Sequence, residues 1–243
     1  MMTFKVLNHG SDMVLLSLFS VFSFGYFCVA SSGGDVKAPP SEGTPPWQYH
    51  ALFKCLPTLV LACGVRRGAA SLAFLLSSLG DFFLVVNDAL KDEKSFLLGL
   101  ASFLLAQWLF VYCFSTQSVG GEKDKSTKLG LALRGLCYVY AGFLYAILWD
   151  SIGGSDLAGP VLFYCFSIAT MAASAVSYYL TNEGKFGALG LLGALAFVIS
   201  DSYLALNMFY KPMPFSKEII LLTYFFAQIG LAVVFHQPKG EVK

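Results

Sequence analysis

Charge is what this sequence has least of. Asp, Glu, Lys and Arg together fill 13% of its 243 positions and nearly cancel, leaving a formal net charge of +1. With no basic stripe and no basic loop interleaved with aromatics, nucleic acid is excluded as a partner. Histidine is scarcer still. His9, His50 and His236 stand at segment edges, so no His/carboxylate cluster has metal-ligand spacing, and no metal is expected. Cys28, Cys55, Cys63, Cys113, Cys137 and Cys165 form no C-x-x-C and no pairing pattern, and read as buried apolar thiols. Neither a G-x-S-x-G elbow nor a phosphate-cradling glycine loop occurs. Serine-lipase chemistry is therefore unsupported, and no cofactor is called for.

What the chain has in excess is apolar surface. Hydrophobic residues make up 56% of it and the mean hydropathy is +0.67, more than a soluble domain of this size tolerates. The sequence reads as all-α: a polytopic transmembrane bundle forming one integral membrane domain. A spanning helix needs about 20 largely apolar residues, and eight candidates run over roughly 13–30, 51–65, 68–87, 95–116, 129–149, 158–180, 186–209 and 217–236. Only Arg66 and Arg67 separate the second from the third. The connections are short except for 31–50, a Gly, Ser and Pro-rich stretch too polar for lipid. Cys28-Val29-Ala30 before Ser31 resembles a signal-peptide cleavage site, but the preceding apolar run exceeds the usual h-region of about 7–15 residues, and a retained span is expected. Eight spans put both termini on one side. That side holds Lys5, Arg66, Arg67, Lys123, Lys125, Lys128, Lys185, Lys239 and Lys243; the other holds Lys37, Lys91, Lys94, Lys211 and Lys217. The bias favours cytoplasmic termini.

Two aspartates interrupt this apolar pattern. "SSLGDFFLVVND" (77–88) carries Asp81 and "FVISDSYLALN" (197–207) carries Asp201, and both fit D-x-[FY]-L-x-x-N, ending at Asn87 and Asn207. An ionisable group in the hydrocarbon costs about 2.5–3.5 kcal/mol on insertion scales, so it faces protein or a wet cavity and is by default a functional candidate. The bland alternative is an Asp that caps or bridges helices. The third and seventh spans run in the same direction, and each Asp lies roughly 20 Å along its helix. Other fragments echo in the same order: "ALFKC" (51–55) against "VLFYC" (161–165) upstream, and Ala106-Gln107 against Ala227-Gln228 downstream. Four helices separate equivalent elements. This predicts an internal parallel repeat about an axis normal to the membrane, with Asp81 and Asp201 facing each other across it and separated by about one water. Gly187, Gly190 and Ala194 supply a small-residue face on the Asp201 helix for close approach.

At these residues the chain resembles the lysoplasmalogenase (YhhN-like) family of eight-span membrane proteins. The resemblance rests on "KCLP" (54–57), "SSLGDFFLV" (77–85), "FVISDSYLALNMF" (197–209) and "TYFFAQIG" (223–230), in that order. It implies hydrolysis of the vinyl ether bond of lysoplasmalogens to a fatty aldehyde and glycerophosphocholine or glycerophosphoethanolamine. It also implies a lysophospholipid substrate, an endoplasmic reticulum membrane, and Asp81 and Asp201 as the catalytic pair. One departure is visible: Gln107 stands where a His is expected in the fourth helix, which puts a proton relay through that position in doubt.

The chemistry suits two carboxyl groups. Vinyl ethers resist bases and nucleophiles, and break when a proton reaches the alkene carbon remote from oxygen. The resulting oxocarbenium ion captures water, and the hemiacetal collapses to aldehyde and alcohol. One protonated carboxyl serves as acid, and one carboxylate stabilises the cation and activates water. Supporting roles fall to Lys54, as a phosphate ligand or a snorkelling side chain, and to Ser78, Asn87, Ser200 and Asn207 beside or within the motifs. Tyr224 and Gln228, on one face of the last span, are placed to hydrogen-bond the carboxylates or water. Ser78 and Ser200 also fit plain helix joining. The competing function is a proton-coupled lipid or solute transporter using the same aspartates.

Overall fold

The computed structural model describes residues 10–31, 47–65, 68–118, 128–182 and 184–236. Most of the polar 31–50 segment and His9 lie outside the described residues, as do Arg66, Arg67, Lys5, Lys37, Lys123, Lys125, Lys239 and Lys243, on which the orientation reading leans.

In hydrocarbon the backbone must satisfy its own polar groups, which is why each apolar run becomes a helix. Among the described residues these are α1 (Gly10–Ser31), α2 (Trp47–Gly64), α3 (Gly68–Leu90), α4 (Glu93–Gln117), α5 (Lys128–Ile152), α6 (Ala158–Thr181), α7 (Lys185–Ala205) and α8 (Ser216–His236). A π-helical turn, Leu206–Tyr210, prolongs α7. The six from α3 to α8 are long and apolar enough to cross a bilayer, α7 with its π turn. The chain is an integral, multi-pass membrane protein. In α1 the described apolar stretch is Ser17–Cys28. Helix α2 is 18 residues long and holds His50, Lys54 and Pro57, so its polarity is sheltered by protein rather than presented to lipid. His50 and Thr58 are both buried.

Sharp turns fix the helix ends nearest the aspartates. Helix α3 runs past Asn87 to Leu90 and stops where Lys91 takes a φ of 54° while donating its N–H to the Asn87 carbonyl (2.8 Å). Asp92 then caps α4 by accepting from Ser95 N at 3.1 Å. The two helices pack back along each other.

Within α1–α4 each helix packs on the next, and the same holds within α5–α8. The halves join chiefly where α4 lies on α6, with Trp108 Nε1 donating to Ser167 Oγ at 3.1 Å, while α8 returns against α1, α2 and α3. Between them sits an aromatic core. Phe74, Phe110, Phe114, Phe197, Phe235 and Tyr178 are inaccessible, Phe110 stacks on Phe235 at 5.7 Å, and Phe103 meets Phe197 and Tyr224 edge-on at 6.3 and 6.1 Å. Such pairs contribute about 0.5–1.5 kcal/mol each beyond burial.

Helices α7 and α8 approach closely because Gly193 faces Gly230. A Cβ at Gly193 would stand 3.3 Å from Leu231 N, and one at Gly230 3.3 Å from Gly193 Cα. Gly190 gives room instead to the rings of Phe114 and Tyr178. Helix α5 is the outlier. It packs along α6, reaches the far end of α7 at the π turn, and turns Leu129, Leu131, Val139 and Phe143 outward.

Gly193→Leu should therefore wedge α7 from α8, lowering stability by about 1–3 kcal/mol. Gly142→Leu, on open space, should be close to neutral. Thermal unfolding of both variants in detergent checks this, and equal losses would contradict the close-approach account.

Candidate active site

Asp81 is 2% exposed and lies in mid-α3. Tyr224 of α8 donates its hydroxyl to Oδ2 at 2.7 Å, and Lys54 Nζ of α2 faces Oδ1 at 3.6 Å. Lys54 is itself 16% exposed, so the pair is nearly dry. An ion taken from water without a partner costs several kcal/mol; here each charge has the other. Gln228, one turn beyond Tyr224 on the same helix, is buried.

Asp201, on α7, is only half-buried. Tyr164 of α6 donates its hydroxyl to Asp201 Oδ2, and Gln107 Nε2 of α4 approaches the same oxygen at 3.4 Å. Both donors are neutral and both converge on Oδ2. Among the described residues Oδ1 receives no hydrogen bond, and no ammonium or guanidinium forms an ion pair with this carboxyl.

The two sites also differ in access. Asp201 opens on a cavity of about 60 Å³ walled by Tyr164, Phe103, Leu204 and, from the α4 and α7 ends, Phe96 and Phe209. That space holds a few waters. Asp81 does not line it. Leu84 and Phe103 are among the cavity's lining residues, and each carboxyl has its own partners: Tyr224 and Lys54 for Asp81, Tyr164 and Gln107 for Asp201.

Other expected site residues are placed as braces. Ser78 Oγ donates to the Cys55 carbonyl at 3.2 Å while Cys55 Sγ donates to the Ser78 carbonyl at 3.3 Å, clamping α2 to α3 beside Pro57, where the helix lacks an N–H. Ser200 Oγ donates to the Ile220 carbonyl at 3.0 Å, tying α7 to α8. Asn207 Oδ1 accepts from Met213 N at 3.0 Å and shapes the turn after the π segment. Asn87, half-buried, sits six residues beyond Asp81 on α3, about 9 Å along the helix. Lys54 is set against Asp81 and acts there as counter-ion.

Tyr164 and Gln107 complete the Asp201 site and were not among the expected site residues. The signal for Tyr164 was present: "VLFYC" laid on "ALFKC" puts Tyr164 where Lys54 stands. Gln107 stood out only as a departure from an expected His, yet it reaches Asp201.

The model of the YhhN family matches residues 49–235, which spans both carboxyl sites. The chain is 31% identical over 207 residues to lysoplasmalogenase TMEM86B of Sus scrofa, covering 82% of this chain and 80% of that protein. It is 28% identical over 231 residues to lysoplasmalogenase TMEM86A of Homo sapiens (83% and 84%) and 27% over 232 residues to the Bos taurus TMEM86A (83% and 84%). No solved structure matches the chain significantly.

Removing one member of the buried ion pair strands the other. Lys54→Met should cost about 3 kcal/mol of stability, and the double variant Lys54→Met/Asp81→Asn should recover most of it. Unfolding midpoints of the two single variants and the double decide the matter; additive losses would show that the pair is not coupled.

Proposed function

The chain belongs to the YhhN family, and from that premise we propose that it is a lysoplasmalogenase. It hydrolyses the vinyl ether bond of single-chain alkenyl glycerophospholipids within the membrane. The observation that carries this reading is a carboxyl group, Asp201, that opens on an apolar cavity with no cation beside it.

In this reading Asp201 is the acid. A carboxyl in apolar surroundings with no counter-charge stays neutral rather than bear the cost of an isolated ion, and Oδ1 is the oxygen left to carry the proton into the cavity. The proton passes to the alkene carbon remote from the ether oxygen, leaving an oxocarbenium ion and an Asp201 carboxylate. Tyr164 and Gln107 then stabilise that carboxylate through Oδ2. Water adds to the cationic carbon and returns a proton to Asp201, and the hemiacetal so formed collapses to aldehyde and glycerol alcohol. Overall one vinyl ether and one water give one aldehyde and one alcohol, and the acid is regenerated. The switch of one carboxyl from acid to base follows the logic of retaining glycosidases.

Asp81 enters as the second carboxylate, kept ionised by Lys54. With Lys54 it forms an oriented ion pair, a preorganised electrostatic element of the site rather than a net charge. An internal duplication accounts for the arrangement. Helices α1–α4 and α5–α8 pack in the same succession, and Lys54 and Tyr164 occupy equivalent places beside their own aspartates. The last helix of each half serves the other half's carboxyl: Gln107 goes to Asp201 and Tyr224 to Asp81.

Asp201→Asn keeps size and hydrogen-bonding capacity but loses the acid, so aldehyde release should fall by about 10²–10⁴-fold. Asp81→Asn should also reduce turnover, and the double variant should be hardly worse than Asp201→Asn, because the groups act as a unit. The assay is aldehyde release from lysoplasmalogen by purified protein in detergent, where no gradient exists to drive a transporter. Folded Asp201→Asn protein that retained more than about a tenth of wild-type release would sink the acid role.

A further inference from the structure

Four residues, Leu144, Cys165, Ile168 and Ser202, line two spaces at once. One is the small cavity at Asp201. The other is a groove of about 560 Å³ between α5, α6 and α7, within the roughly 300–1,000 Å³ typical of small-molecule sites. It follows α6 from Cys165 to Tyr179, α7 from Ser202 back to Leu191, and α5 from Leu144 back to Leu133. At 1.5 Å per residue that is about 16–21 Å of length. At its mouth Tyr140 Oη donates to the Oγ of Ser202, next in sequence to Asp201, at 2.9 Å. The groove exists because α5 packs on α6 and reaches α7 at its π-turn end.

We propose that this groove is the binding site for the hydrocarbon chain of the substrate, one unbranched chain with its reactive end at Asp201, and that the far wall at Leu133 and Leu191 sets the chain length accepted. The proposal rests on the hydrolase reading for the identity of the reactive end. Its occupant follows from continuity and order. Asp201 lies nine residues before Tyr210, roughly 14 Å from the end of the helix, and the small cavity extends towards that end through Leu204, Met208 and Phe209. The groove extends the opposite way, towards the other ends of α5, α6 and α7, along a side where Leu136, Leu195 and Ile199 are exposed. A single-chain lipid has the same sequence of parts along its length: polar head at the interface, ether linkage a short way below it, chain running inward. The π turn sits between head and ether, where it re-aims the helix wall.

Filling the far end shortens the groove and leaves the site at Asp201 untouched. Leu191→Trp and Leu133→Trp, on different helices, do this independently, and Phe163→Trp, on the lipid-facing side of α6, is the control. The probes are saturated alkyl-ether lysophosphocholines of short and long chain, which bind without being cleaved, and binding is read by native mass spectrometry alongside unfolding temperature. Each far-end variant should lower the long-to-short affinity ratio about tenfold or more, with the short-chain affinity kept, and the control should leave the ratio unchanged. A ratio unchanged in folded Leu191→Trp and Leu133→Trp overturns the proposal, as does an equal shift in Phe163→Trp, which would mean annular lipid only. Should either tryptophan fail to fold, Leu191→Phe provides the same reading with a smaller shift in the same direction. Because the probes are not cleaved, the shift with no aldehyde release from alkenyl substrate would sink the hydrolase reading alone. Release with no shift would sink the groove alone.

Discussion

A carboxyl group inside an apolar bundle has no water to fall back on, and the arrangement of this molecule follows from that constraint. Each aspartate draws partners from two other helices. Asp81 on α3 requires α2 and α8 at a fixed distance, because Lys54 and Tyr224 come from them. Asp201 on α7 requires α4 and α6, because Gln107 and Tyr164 come from them. The requirement explains why the short, polar α2 is held against α3 by the reciprocal Ser78–Cys55 clamp. It also explains why α8 returns across the bundle to lie on the first half. The aromatic core fills the space these polar contacts define; Phe103, touching both Phe197 and Tyr224, is where core and site meet.

The two carboxyls are chemically unlike despite matching motifs. A single exchange, Lys54 in one half for Tyr164 in the other, places an ammonium beside Asp81 and a neutral hydroxyl beside Asp201. A second exchange follows from the offset that pairs Gln107 with Gln228: Tyr224 in α8 corresponds to Phe103 in α4. The Tyr224 hydroxyl goes to the sealed carboxyl, while the Phe103 ring lines the cavity at Asp201. Under the proposed duplication these substitutions turn a symmetric pair into one ion-paired carboxyl and one that has only neutral donors. Environment rather than residue type separates the roles, as in other two-carboxylate sites.

The helices were legible because hydrocarbon leaves the backbone no alternative, so composition and run length suffice. The aspartates were legible because an ionisable residue in such a run is conspicuous. Partners at long range were not. Nothing local marks Tyr164 or Gln107, since a tyrosine or glutamine in an apolar helix is ordinary, and only laying one half on the other aligned Tyr164 with Lys54. Ser78, a turn before Asp81, and Ser200, next to Asp201, read as site residues from their place near the aspartates, yet nearness along a helix does not fix where a short hydroxyl finds its acceptor. Their hydroxyls reach carbonyls of neighbouring helices instead. Which aspartate is sealed and which is open depends on side chains from four other helices, information that no single stretch of sequence holds.

Loose packing of α5 completes this logic. A helix that buried its whole length against α6 and α7 would gain apolar contact within the protein, but in a bilayer that gain is small, because lipid tails are as apolar as leucine. The α5–α6–α7 groove therefore costs little stability, whereas the same groove in a soluble protein would expose a large apolar surface to water. Only the carboxyl sites, where desolvation is expensive, need the tight four-helix closure seen around Asp81. The membrane thus permits one side of the bundle to stay open to a hydrocarbon chain while the other stays sealed around an ion pair, and Asp201 lies on the boundary between the two.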